Sequence, residues 1–194
     1  LSSRQLSAAA ENIAAAHFAM YGFDLLEQGP RARSVHGLGV ANPSGMMKVT
    51  VCGSFRGFWE LVDPSAGAPA RTPADSHRVV DRWLDRQGKQ SAFCLVQFEG
   101  ADLKCMPRLY LATAAEIAAK LHAGVEQLGD TALYEQYERE DATGRHIVET
   151  LPAHWQFSEQ RVAQLMATEP NPMPAAPFAG VASASGPLPQ PAFA

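Results

Sequence analysis

Leu38-Gly39-Val40-Ala41-Asn42-Pro43-Ser44-Gly45-Met46-Met47-Lys48-Val49-Thr50-Val51-Cys52 decides how this chain folds. Asn42-Pro43-Ser44-Gly45 is a turn: proline presets φ and glycine accepts φ > 0. Its flanks, Leu38 to Ala41 and Met46 to Cys52, read as two strands of a hairpin. The longer strand alternates Met47, Val49 and Val51 with Lys48, Thr50 and Cys52, so each set shares one surface.

Upstream, Leu6, Ala10, Ile13, Ala16, Phe18 and Met20 fall near helical spacing in an alanine-rich stretch, which predicts a helix from Ser3 to Tyr21 ended by Gly22. Phe23 to Leu26 reads as a short strand that turns near Gly29-Pro30 into a basic loop holding Arg31 and Arg33. Downstream, Thr72-Pro73 gives an N-cap and a first-turn proline for a helix reaching about Gln87, before Gly88. Ala92 to Phe98 is almost continuously apolar, as in a strand covered on both faces. Arg108 to Ala112 predicts another strand. Thr113 and Glu116 have capping-box spacing for a helix ending near His122. Residues 124 to 150 are rich in charge and predict short strands or loops; Ser158 starts a last helix to Ala167.

Two domains of behaviour follow. Residues 1–167 form a body that can bury about two-thirds of its unfolded surface. Thr168 to Ala194 carries one charged residue and seven prolines, too little burial to offset its ordering entropy, so a Pro/Ala-rich disordered tail is expected. No apolar run spans a bilayer and no leader pattern opens the chain, which predicts a cytoplasmic protein. Cys52, Cys94 and Cys105 are odd in number without CxxC spacing, arguing for reduced, mostly buried thiols and against a disulfide framework or structural zinc. A net charge of −4 gives no general attraction for polyanions, so any nucleic-acid contact requires a local patch.

The order helix, strand, strand, strand, helix, strand, together with Ala10-Glu11-Asn12-Ile13, Tyr21-Gly22-Phe23-Asp24 and Lys48-Val49-Thr50-Val51-Cys52-Gly53-Ser54, resembles the PD-(D/E)XK nuclease superfamily. Phe93 to Phe98, Met106 to Ala112 and Leu151 to Ser158 are similar to stretches of uncharacterised bacterial proteins of this type. The resemblance covers about residues 7 to 166. It implies an α/β protein with a restriction-endonuclease-like αβββαβ core, a mixed central sheet flanked by helices and a C-terminal helical extension.

In active members, an aspartate on the second strand and a carboxylate or amide two residues before a lysine on the third hold Mg²⁺ for phosphodiester cleavage. The resemblance puts those positions on Gly37 (beside His36), Thr50 and Cys52, and leaves Glu11 as a remnant. Lys48 lies about 13 Å from Cys52 at strand rise, too far to replace the lysine.

The expected function is therefore binding by a catalytically impaired nuclease fold, to DNA or RNA or to a protein partner, without a cofactor. Arg31, Arg33, Lys48 and Arg56 are the candidate nucleic-acid contacts, against the plainer reading of solvated charges. Glu11 competes with a solvated helix glutamate. His36 and Cys52 could pair as imidazole and thiolate across the hairpin, or Cys52 could be a small buried hydrophobe. An alternative is an active Mg²⁺ nuclease with migrated residues, using Glu11, Glu60 or Asp63 with Lys48. A third reading is an interaction module of a larger assembly. Trp59, Trp83 and Trp155 are expected as core anchors, and Glu140 to Glu149, with His146, as a charged loop.

Overall fold

The computed structural model describes residues 2–26, 37–62, 72–88, 91–99, 105–140 and 143–167. The expectations for Arg31, Arg33, His36, Asp63 and the 168–194 tail lie outside these residues.

Helix α1 (Ser3–Met20) starts at Ser2, whose hydroxyl accepts from the Gln5 backbone while the Gln5 side chain returns the bond. Strands β1 (Asp24–Leu26), β2 (Gly37–Asn42) and β3 (Gly45–Ser54) follow. The predicted turn forms, with Asn42 Oδ1 accepting from the backbones of Ser44 and Gly45. After a two-residue β4 (Phe58–Trp59), helix α2 (Pro73–Asp85) leads into β5 (Ser91–Gln97), then β6 (Arg108–Thr113) and helix α3 (Ala114–Leu128).

The main sheet has the order β1-β2-β3-β5-β6 and is mixed: β3 and β5 run parallel across the α2 connection, and the other neighbours run antiparallel. This is an α/β fold, with four helices among the described residues.

One face of the sheet packs Met47, Val49 and Val51 against Ala10, Ala14 and Phe18 of α1, with Val162 and Met166 of helix α4 (Glu159–Ala167) beside them. The other face packs Phe93, Leu95, Tyr110 and Ala112 against Val79 and Val80 of α2 and Ile117 and Leu121 of α3. The near-continuous apolarity of β5 follows, because its alternating side chains enter two cores. Each such side chain contributes about 1.5–3 kcal/mol when fully buried.

Gly53 lets α1 approach closely: a Cβ there would meet the Ala10 Cβ at 3.0 Å and Leu6 at 3.2 Å. At the far edge of the sheet, Phe157 N–H donates to the Leu109 carbonyl and buried Arg161 donates to the Leu111 carbonyl, so the chain leading into α4 covers β6.

Two expectations need correction. Helix α3 runs six residues past His122, to Leu128, and ends at Gly129 with φ 76°. Gly124 sits inside that helix on its buried face despite poor helix propensity, and a Cβ there would make only an ordinary contact, 3.9 Å from the Asp130 carbonyl oxygen. The stretch expected as a charged loop instead contributes to a hairpin, β8 (Gln136–Glu140) with β9 (His146–Thr150), on whose less exposed face Tyr137 and Arg139 both donate to Glu149. The short β7 (Leu133–Tyr134) pairs with β4, a contact no local pattern announces.

Candidate functional site

A cleft of about 760 Å³ opens beside β3 just beyond Thr50, the last β3 residue in the described pairing with β2. Its floor is Thr50 to Ser54. One wall is the first turns of α1, with Ser3, Leu6 and Ser7; the other is Phe58 to Leu61. The charged groups lining it, among the described residues, are Arg56 and Glu60.

The turn that carries Arg56 is built by directed bonds. Arg56 N–H donates to Ser54 Oγ at 3.1 Å, Gly57 N–H donates to Gln97 Oε1 at 3.1 Å, and Gly57 O accepts from Glu135 N–H at 2.7 Å. Gly57 has φ 75°, a conformation that costs other residues strain. The Trp59 indole donates to the Cys52 carbonyl at 3.1 Å, tying the cleft wall to its floor.

Behind the turn, Arg108 grips Glu135 with two bonds, Nε to Oε1 at 2.7 Å and Nη2 to Oε2 at 2.9 Å, and Tyr110 donates to Oε1 at 2.7 Å. Burial works to raise the Glu135 carboxyl, but these hydrogen bonds outweigh it and hold it below the ordinary carboxylate range. Burial and the same carboxylate push the Tyr110 hydroxyl up to about 12.

The residues singled out from sequence are dispersed. Gly37 lies directly across from Thr50, and Cys52 sits beside Leu95 of β5. Thr50 and Cys52 share the α2-facing side of β3, where Cys52 packs against the second core. Burial pushes its thiol up to about 12, the opposite of what a thiolate nucleophile needs. Glu11 is half-buried on α1, which covers the other side of β3; its spacing from Ser3 and Ser7 puts it on the helix stripe that lines the cleft. Lys48 is exposed, six residues before Ser54, which at strand rise is about 20 Å from the Arg56 turn. Lys48 and Arg56 therefore do not form one patch.

The donor set at the resemblance-derived positions does not suit Mg²⁺, which takes several hard oxygen ligands. Glycine offers no side chain, Thr50 offers a neutral hydroxyl and Cys52 is held as a thiol. No three His, Cys, Asp or Glu side chains gather into a metal-binding group among the described residues.

Trp59 and Trp155 are core anchors, at 3% and 2% exposed. Sequence reading missed the serines of α1 as cleft lining, although their i, i+4 spacing was visible, and missed Gln97 and Glu135 as supports of the Arg56 turn. Those partners are 40 and 78 residues distant in sequence, so no local signal connects them. No helix among the described residues is long and apolar enough to cross a membrane. Comparison with family models, with curated proteins and with solved structures returns no match for this chain.

Proposed function

We propose that this chain is a restriction-endonuclease-like protein whose cutting site has been dismantled and whose cleft beside β3 binds nucleic acid. The αβββαβ order of the elements on the main sheet, with β4 set apart in a separate two-stranded sheet and β3 and β5 parallel across a helical connection, supports the fold reading. The carrying observation for function is the cleft itself: Arg56 is presented at its rim by a turn held at three points, while its floor offers Thr50 and Cys52 at the positions where the resemblance to cleaving PD-(D/E)XK proteins calls for a glutamate or glutamine and a lysine. An arginine carried on a fixed turn can contact a phosphate; a hydroxyl and a buried thiol do not assemble a hydrolytic cation.

The test is an electrophoretic mobility shift with single- and double-stranded DNA and RNA over a salt series. Arg56→Ala is expected to weaken binding and reduce the salt slope by about 1. Absence of any shift at low salt removes the nucleic-acid reading. Metal-dependent cleavage with Mg²⁺ or Mn²⁺, abolished by Glu11→Ala, removes the claim of impaired catalysis and restores the active-nuclease alternative.

A second reading, docking to a protein, is favoured by a separate observation. Met20, Tyr21, Leu25 and Leu26 are 85%, 45%, 41% and 44% exposed, at the end of α1 and on the outermost strand β1. Aspartate substitution of Leu25 and Leu26 is expected to abolish partner recovery under this reading and to leave nucleic-acid binding unchanged.

A further inference from the structure

Helices α2 and α3 lie side by side on one face of the sheet, and two histidines meet where they touch. His77 Nδ1 faces His122 Nδ1 at 2.6 Å, with the rings 23° from coplanar and their centroids 4.9 Å apart. The centroid separation exceeds the nitrogen separation by about two ring radii. Both nitrogens therefore lie on the line joining the rings, and each aims its in-plane lone-pair direction at the other. That alignment suits an N–H···N hydrogen bond. Two imidazoles sharing a tetrahedral cation would converge on it at an angle instead.

The other nitrogen of His122, Nε2, lies 3.0 Å from Asp81 Oδ1. An ionised carboxylate only accepts, so His122 Nε2 carries a proton and, in the neutral ring, its Nδ1 is the acceptor. His77 must then donate from Nδ1. The chain of groups is closed by one proton between the rings.

We infer that Asp81, His122 and His77 form a single-proton latch that fastens α2 to α3 and opens when acidification charges both rings. With both rings charged, two N–H groups face each other with no acceptor between them, and two like charges meet across the helix interface. Asp81 can balance one of them. The other charged groups within a helical turn are Arg78, bound to Asp75, with Arg82 and Asp85 on α2, and Lys120, bound to Glu149, with Glu126 on α3. The latch has a route to the cleft: Val79 and Val80 of α2 share their core with Trp59, which lines the cleft wall. The inference does not depend on what the cleft binds.

The test uses the full chain labelled with ¹⁵N-histidine. Near neutral pH, ring-nitrogen spectra are expected to show His122 protonated at Nε2 and one proton coupled to both Nδ1 nitrogens. On acidification, once both rings are charged, that coupling should vanish and the amides of α2 should lose hydrogen-exchange protection by about tenfold. His77→Phe should abolish this acid-dependent loss. Two rings that titrate without a shared proton overturn the inference, as does an equal acid-dependent loss in His77→Phe. Should that variant fail to fold, the wild-type coupling decides alone. Movement of both rings' nitrogen resonances on adding one equivalent of Zn²⁺ overturns it in favour of a metal site.

Discussion

Replacing Arg161 with methionine isolates one buried polar joint and gives a calculable loss. Arg161, on α4, is 7% exposed; its Nε donates to the Leu111 carbonyl at 3.1 Å and its Nη2 to Glu116 Oε2 at 2.5 Å. Methionine retains much of the apolar stem, so the cost is chiefly polar. A buried carbonyl left without a donor costs about 1–3 kcal/mol. Breaking a fully buried ion pair costs about 3–5 kcal/mol, but the Glu116 side chain is 29% exposed and keeps its bonds from Thr113, so about 1–2 kcal/mol is appropriate. The sum is about 3 kcal/mol, equivalent at this size to a Tm lower by roughly 6–12 °C.

The cost should also depend on pH. Burial tends to raise the Glu116 carboxyl, but hydrogen bonds from Thr113 and Arg161 outweigh it and leave it below its ordinary value of 4.5. A depressed carboxylate contributes stability that is present above the unfolded value and lost as pH falls through the folded one. The penalty of Arg161→Met should therefore shrink below about pH 4.5. Urea unfolding of wild type, Arg161→Met, Glu116→Gln and the double variant at pH 7 and pH 4 measures both effects. A loss under 1 kcal/mol at pH 7, or a double-variant cycle without coupling, would refute the reasoning.

Gly53→Val should destabilise by about 1–3 kcal/mol through overpacking against Ala10 and Leu6; a wild-type midpoint in urea would show that α1 does not sit where described. Glu149, whose hydrogen bonds from Tyr137 and Arg139 outweigh burial and hold it at about 2, should contribute stability above pH 4.5 that is lost as pH falls toward 2. Glu149→Gln should flatten that limb of the pH–stability curve, and an unchanged limb would sink the assignment. Burial raises the thiols of both Cys52 and Cys94, whereas Cys105 is exposed. Native protein at pH 8 is therefore expected to take one alkyl label, at Cys105, and all three in denaturant; rapid native labelling of Cys52 would restore it as a reactive group.

Local rules made much of the fold legible. The Asn42-Pro43-Ser44-Gly45 turn, the two Thr caps at Thr72 and Thr113, and the apolar run of β5 each act over a few residues, and each stands where its pattern puts it. The end of α3 is not legible locally because Gly124 weakens the helical pattern, whereas Leu121 and Val125 on either side of it are buried and the helix continues to Leu128. The pairing of β4 with β7 was invisible because two-residue strands carry no period. The cleft is half legible: Arg56, Thr50 and Cys52 line it, whereas Lys48 belongs to a different part of β3 and Glu11 lies one helical turn beyond Ser7, the last α1 residue in the lining.

Sequence by itself determined the strands of the main sheet, the Thr72 and Thr113 caps and the alternation that gives β3 two faces, because these depend on backbone sterics and hydrogen bonds between near neighbours. Only the tertiary structure decided which groups meet: Gln97 and Glu135 around Gly57, Arg161 on Leu111 and Glu116, His77 on His122. Such contacts form when whole faces bury themselves together, and the side chains at the seams then find partners that no interval along the chain specifies.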